Sequence, residues 1–159
     1  MEFLTRSPMQ TKSLGARLAR CLQPFDVVAF TGEIGAGKTT FIQGVARGLG
    51  VPQGRVTSPS FVLVKEYPGG RLPVFHADLF RLDQTAEAMS VGLEEFYQMP
   101  GVTVIEWANR VPAIVPEEFL EVQFEVIHRT TRRIRMVPHG KKYEERTWLR
   151  QRRAKTARR

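Results

Sequence analysis

Residues 32–39 read Gly-Glu-Ile-Gly-Ala-Gly-Lys-Thr. Gly32, Gly37, Lys38 and Thr39 satisfy the pattern G-x-x-x-x-G-K-[ST] in full. The chemistry that suits this spacing is the holding of phosphates. Glycines let the backbone turn its N–H groups inward around phosphate oxygens. The helix N-terminus that should follow adds partial positive charge. In this pattern Lys38 reaches the β- and γ-phosphates and the Thr39 hydroxyl ligates Mg²⁺. Gly35, Ala36, Gly37, Lys38, Thr39 and Thr40 are therefore the candidate contacts for ATP. The bland alternative is a tight strand-to-helix turn that binds nothing.

A phosphate loop of this kind needs an acid on the metal side. Two apolar runs end in one: Val74-Phe75-His76-Ala77-Asp78 and Val102-Thr103-Val104-Ile105-Glu106. Ligands of open α/β sheets bind at the C-terminal ends of strands, and Mg²⁺ prefers carboxylate oxygen, often through water. Asp78 and Glu106 are thus candidate catalytic and metal-side groups. Each taken singly also reads as an ordinary strand-end charge. His76 and Asp78, two apart, share one strand face, although a lone histidine is more often structural.

These residues need elements to hold them. Asp26–Thr31 (DVVAFT) is a continuous apolar run of strand length, as expected of a strand covered on both faces. Lys38 to Leu49 reads as a helix, stopped by Gly50 and Pro52. Upstream, Ser7-Pro8 predicts a helix start, with Ser7 as the cap and Pro8 in the first turn. Leu14, Leu18 and Leu22 give that helix one apolar face, and Pro24 ends it. Phe61–Val64 and Leu72–Ala77 read as a hairpin around Gly69-Gly70. Residues 84–97 look helical, broken at Gly92. Phe119 to Ile127 alternates and pairs most simply with Ile134–Val137 across an arginine-rich turn. The expected fold is an α/β, P-loop NTPase-like sandwich around a mixed, largely parallel sheet with antiparallel hairpins.

The composition bounds the rest. The chain has 159 residues, 42% hydrophobic and 25% charged, ordinary for one globular domain. It shows no apolar run near the roughly 18 residues that would span a bilayer and no signal-peptide pattern. Cys21 stands alone, so no intrachain disulfide can form. A cytoplasmic protein without a membrane partner is expected. The net charge of +8 is uneven: residues 141–159 hold nine Lys or Arg and two Glu, a net +7, leaving +1 on the first 140. The charge divides the chain into a P-loop domain, 1–140, and a basic tail, 141–159. Such a tail suits a polyanion such as tRNA, with Lys141, Lys142, Arg146, Arg150, Arg152 and Arg153 on phosphates and only Tyr143 and Trp148 able to stack on bases. A solvated extension is the alternative.

Gly32 to Thr40, then Ser58-Pro59-Ser60-Phe61, then His76-Ala77-Asp78-Leu79-Phe80-Arg81, then Glu106-Trp107 resemble, in order, the TsaE (YjeE) family. These are bacterial ATPases of tRNA threonylcarbamoyladenosine biosynthesis. The resemblance spans roughly residues 5–138. It implies a Mg²⁺-dependent ATPase that works with a TsaB–TsaD-like complex, which transfers a threonylcarbamoyl group to adenosine 37 of tRNA. It places Lys38 and Thr39 on phosphate and Mg²⁺, with Asp78 and Glu106 near the metal and the γ-phosphate. Ser60 stands where the family usually has Thr, keeping a hydroxyl for the nucleotide side. Phe80 replaces the usual Tyr, so no hydrogen bond from that ring is essential here. Trp107 reads equally as a packing aromatic or a nucleotide contact, and Arg81 as a phosphate ligand or a surface ion pair.

Two other functions fit the loop. A small-molecule kinase would want an arginine-rich lid, for which Arg129 to Arg135 is the candidate. A nucleotide-gated RNA-binding module would hydrolyse little and dock through the tail. Arg110, Arg129, Arg132 and Arg133 are the candidate arginine fingers, and a partner protein is the other source of that charge.

Overall fold

The computed structural model describes residues 1–149 apart from 53, 55, 58, 60–63 and 83–91. In chain order the elements are β1 (Glu2–Thr5), α1 (Pro8–Ala19), β2 (Asp26–Thr31), α2 (Lys38–Gly48), β3 (Val64–Tyr67), β4 (Val74–Asp78), α3 (Leu93–Tyr97), β5 (Val102–Glu106), β6 (Phe119–Val126), β7 (Arg132–His139) and α4 (Lys141–Glu144). Two short 3₁₀ turns, Ala108–Arg110 and Pro112–Ile114, follow β5.

The strands form one sheet in the order β1-β7-β6-β2-β5-β4-β3. β2 lies parallel to both β5 and β6, and β4 lies parallel to β5. The pairs β3–β4, β6–β7 and β1–β7 are antiparallel. The expected mixed sheet with hairpins is the observed one. Its central strand, β2, has neighbours that come later in the chain on both sides, so its C-terminal end is a cleft between diverging connections.

Side-chain alternation sorts the strands into two layers. Val28 and Phe30 of β2, with Val102 and Val104 of β5, pack under α1 and α2. Val27, Ala29 and Ile105 face the opposite layer with Leu79, Leu93 and Ile114. By the same parity His76, Asp78 and Glu106 lie on the α1–α2 side. They therefore share a face with the helix that follows the glycine loop.

Ser7 caps α1 as expected: its hydroxyl accepts from the Gln10 N–H at 3.2 Å, and Pro8 opens the helix. α1 and α2 cross very closely. A Cβ on Gly15 would lie 2.2 Å from the Phe41 carbonyl oxygen, and one on Gly44 would lie 2.0 Å from that of Lys12. Only glycine admits this approach, and it fixes where α2 begins.

Some expectations shift. The hairpin strands are Val64–Tyr67 and Val74–Asp78; Phe61 to Leu63, and most of the helix expected over 84–97, lie outside the described residues. β1 was not expected. It is a short edge strand paired with β7, with no apolar pattern of its own.

The division at residue 140 does not coincide with a break in packing. Tyr143 is fully buried, and its hydroxyl accepts the Val27 N–H at 2.7 Å. Trp148 stacks on Tyr143 with ring centroids 5.8 Å apart, and its indole donates to the Tyr143 carbonyl at 2.8 Å. Arg146 forks onto both oxygens of the buried Asp26, at 2.7 and 2.8 Å, and donates to the Cys21 carbonyl. Tyr143 and Trp148 are thus core residues rather than stacking platforms, and Arg146 is engaged by a carboxylate. Residues 141–149 close the N-terminal end of β2, opposite the glycine loop. Residues 150–159 lie outside the described part.

Candidate functional site

The glycine loop joins β2 to α2. Gly32 sits at φ 138°, and a Cβ there would lie 2.7 Å from the Phe124 carbonyl oxygen. Gly37, at φ 103°, is the N-cap of α2 and offers no side chain to the helix end. The first N–H groups of α2 thus lack a side-chain cap and suit an anion.

Lys38 opens the helix and folds back along the loop. Its Nζ donates to the carbonyls of Gly32 at 2.7 Å and Glu33 at 2.8 Å, and lies 4.0 Å from the centre of the Trp107 ring. Only 4% of Lys38 is exposed. Burial holds its ammonium below the usual lysine range; the carboxylates of Glu106, Asp78 and Glu33 act in the opposite direction.

Thr39 is next on the helix. Its hydroxyl donates to Glu106, lying 3.1 Å from Oε1 and 3.2 Å from Oε2. Glu106 ends β5, the strand beside β2, and is 3% exposed. Its Oε1 also meets His76 Nε2 at 2.8 Å. Asp78 ends β4, one strand further out, in register with Glu106. Its Oδ1 accepts the Phe80 N–H at 2.9 Å, which fixes the turn after the strand.

The residues after both acids build the far wall. Phe80 and Trp107 rings pack with centroids 4.9 Å apart, and Arg110 lies over Phe80. Trp107 has a left-handed backbone, φ 59°, that turns the chain sharply after Glu106. The result is an open cleft of about 450 Å³ lined by residues 34–40 with Pro59, Asp78, Phe80, Arg81, Glu106 and Trp107.

Every described residue of the expected set therefore reaches one place: Gly35, Ala36, Gly37, Lys38, Thr39, Thr40, Asp78 and Glu106 all line this cleft. Ser60 lies outside the described residues. Arg132 and Arg133 are turned to other work. Arg132 donates through Nε to the Ala36 carbonyl at 3.0 Å and through Nη2 to Gly35 at 3.3 Å, while Nη1 holds the His128 carbonyl at 2.9 Å. It staples the β6–β7 turn to the outer side of the glycine loop. Arg133 pairs with Glu125 at 2.7 Å. Arg132 as a loop staple and His76 as the partner of Glu106 were not legible as such. The spacing His76-x-Asp78 was the one available hint for the second.

Among the described residues no group of three or more His, Cys, Asp or Glu could hold a metal by itself. A cation here would rest on the Thr39 hydroxyl, ligand oxygens and water, with the carboxylates behind them, which is how Mg²⁺ is usually held beside phosphates. The donor set fits.

A central parallel strand, a glycine loop capping the next helix, and an acid on the neighbouring strand define an α/β sandwich of P-loop NTPase-like architecture. The model of the family described as threonylcarbamoyl adenosine biosynthesis protein TsaE matches residues 5–134, and this chain belongs to that family. A Bacillus subtilis relative, described as tRNA threonylcarbamoyladenosine biosynthesis protein TsaE, is 35% identical over 144 residues, covering 91% of this chain and 89% of the relative. A relative of the same description from Treponema pallidum is 37% identical over 127 residues, covering 80% of this chain and 93% of its own. The crystal structure of Bacillus subtilis YdiB superposes with a TM-score of 0.76 at 33% identity, covering 91% of this chain and 88% of that one. No helix among the described residues is long and apolar enough to cross a membrane.

Proposed function

We propose that this chain is a cytoplasmic, Mg²⁺-dependent ATPase required for threonylcarbamoylation of adenosine 37 in tRNA, acting with a TsaB–TsaD-like complex. The observation that carries the reading is the Thr39 hydroxyl seated on the buried Glu106 carboxylate, beside a glycine loop that Lys38 spans. The family supplies the biosynthetic context.

The α2 N-terminal amides and Lys38 would bind the triphosphate. On binding, the Lys38 ammonium exchanges the Gly32 and Glu33 carbonyls for phosphate oxygens. Thr39 would hold the cation, with Glu106 accepting its hydroxyl proton and so keeping a lone pair outward. Bound Mg²⁺ supplies charge neutralisation on the phosphates. Asp78, at the next strand end, orients the attacking water. Phosphoryl transfer needs positioning and electrostatics more than covalent chemistry, and this cleft offers both.

Against the kinase reading, two arginines of its candidate lid, Arg132 and Arg133, are held by carbonyls and a carboxylate. The six basic residues in 150–159 remain as a sequence-independent contact to tRNA. The test is reconstitution of tRNA threonylcarbamoylation with purified TsaB and TsaD, with and without this chain. Modification that needs the chain and consumes ATP is expected. Full modification in its absence, or a phosphorylated small acceptor in its presence, would overturn the reading.

A further inference from the structure

His76 has a position that packing alone does not explain. It is wholly buried in a β4 otherwise built from apolar residues up to Asp78. Its Nδ1 has no hydrogen-bond partner among the described residues. Leaving a buried polar atom unsatisfied costs free energy that an apolar residue would avoid. The nearby Tyr67 does not relieve it, since that hydroxyl is engaged with Thr57. The ring's polar contact is Nε2 on Glu106 Oε1 at 2.8 Å. With no acceptor at Nδ1, the ring hydrogen belongs on Nε2, where it donates to the carboxylate.

Glu106 thus receives two donors, His76 Nε2 and the Thr39 hydroxyl. The first fixes the carboxylate's rotation. The second depends on that rotation, because the Thr39 proton points wherever the carboxylate oxygens stand. When that proton points to Glu106, the remaining Thr39 lone pairs face the cleft. Loss of the first donor frees the carboxylate to turn and the hydroxyl to rotate with it.

We propose that His76 is a positioning residue for the cation: through Glu106 it sets the direction in which Thr39 presents its oxygen. The proposal rests on the Mg²⁺-nucleotide reading above and adds a residue to it. Partners that orient a ligand in this way typically change metal affinity by about 10- to 100-fold. They leave the phosphate-binding amides and Lys38 untouched.

The experiment is calorimetric binding of the non-hydrolysable analogue adenylyl imidodiphosphate to the full chain, across a series of MgCl₂ concentrations and in EDTA. His76→Leu is expected to raise the half-saturating Mg²⁺ concentration by about 10-fold, with unchanged affinity in EDTA. His76→Gln places an amide N–H near the position of Nε2 and is expected to restore the parent requirement. His76→Asn places its amide nearer Nδ1 and is expected not to. The Gln–Asn contrast keeps the test decisive should the Leu variant not fold. Equal Mg²⁺ requirements in the Gln and Asn variants, or a folded Leu variant with the parent requirement, would overturn the role of His76 alone. Parent binding with no Mg²⁺ dependence would overturn the cation reading and this role with it.

Discussion

The Thr39 hydroxyl lies 3.1 Å from a carboxylate oxygen of Glu106, 67 residues further along the chain. One residue lies in the first turn of a helix and the other closes a strand. They meet because β5 is the immediate neighbour of β2 and runs parallel to it, so both deliver their C-terminal ends to the same edge.

Lys38→Met should abolish Mg-ATP binding by calorimetry while far-ultraviolet circular dichroism stays unchanged. A pH dependence follows as well. Burial lowers the folded-state pKa of Lys38 from 10.5, so the unfolded chain holds this proton more tightly. The parent should therefore gain stability relative to Lys38→Met as pH rises through the lowered pKa toward that of the unfolded chain. Urea unfolding of both chains between pH 7 and 11 checks this, and a difference that shrinks or stays flat as pH rises would contradict it.

Asp78→Asn and Glu106→Gln should each lower ATP turnover by roughly 100-fold. Asp78→Asn should change ATP affinity far less, whereas Glu106→Gln should also raise the Mg²⁺ requirement of binding. Asp78 acts as the γ-phosphate leaves, and interactions made in the transition state appear in kcat, while Glu106 also seats Thr39 before the reaction. Steady-state hydrolysis with partners present, beside equilibrium binding, separates the two effects. Parent turnover in both variants would remove the acids from the mechanism.

Hydrolysis by the isolated chain should be slow and stimulated by the TsaB–TsaD pair. Arg132 and Arg133 are committed elsewhere, which leaves Arg110 and Arg81 at the cleft wall and a partner protein as sources of further charge at the transition state. Phosphate release with and without the pair is the measurement. A high rate that ignores the partners would favour a stand-alone ATPase.

Gly44→Ala should destabilise the fold although alanine is the better helix former. The propensity gain is about 1 kcal/mol. A Cβ 2.0 Å from the Lys12 carbonyl forces α1 and α2 apart, at about 3 kcal/mol of overpacking. The net loss of about 2 kcal/mol should appear in denaturant unfolding, and an unchanged midpoint would show that the helices separate freely.

Two truncations should behave differently. A chain ending at Gly140 loses Tyr143 and Trp148 from the core and removes Arg146 and Lys142 from buried Asp26. Breaking such a pair costs about 3 kcal/mol, so thermal unfolding should shift well down. A chain ending at Leu149 should keep its stability and ATP affinity. Its tRNA binding should weaken and its salt dependence should flatten by several units, about 0.7 to 0.9 for each phosphate that the tail neutralises. Equal salt slopes for this chain and the full one would make residues 150–159 a solvated extension.

Local rules made much of this protein legible in its sequence. The cap at Ser7, the buried run of β2, the glycine loop, the hairpin of β6 and β7, and the acids closing β4 and β5 each follow from short-range patterns. A turn's glycines, a strand's alternation and a helix's first residues are set by neighbours in the chain. Strand order is not, and strand order decided the chemistry. It made Glu106 rather than Asp78 the partner of Thr39, because β5 and not β4 lies beside β2. It put His76 within reach of Glu106 across the β4–β5 pair. It brought the β6–β7 turn over the glycine loop, where Arg132 spends its donors on carbonyls. It also turned part of a basic tail into core. Tyr143, Arg146 and Trp148 look like a nucleic-acid segment by composition, but the buried Asp26 carboxylate and the uncovered end of β2 gave Tyr143 and Arg146 partners more than a hundred residues away, and Trp148 stacks on Tyr143. Charge counting along a chain registers no such partner, because a buried carboxylate and a surface one are written with the same letter.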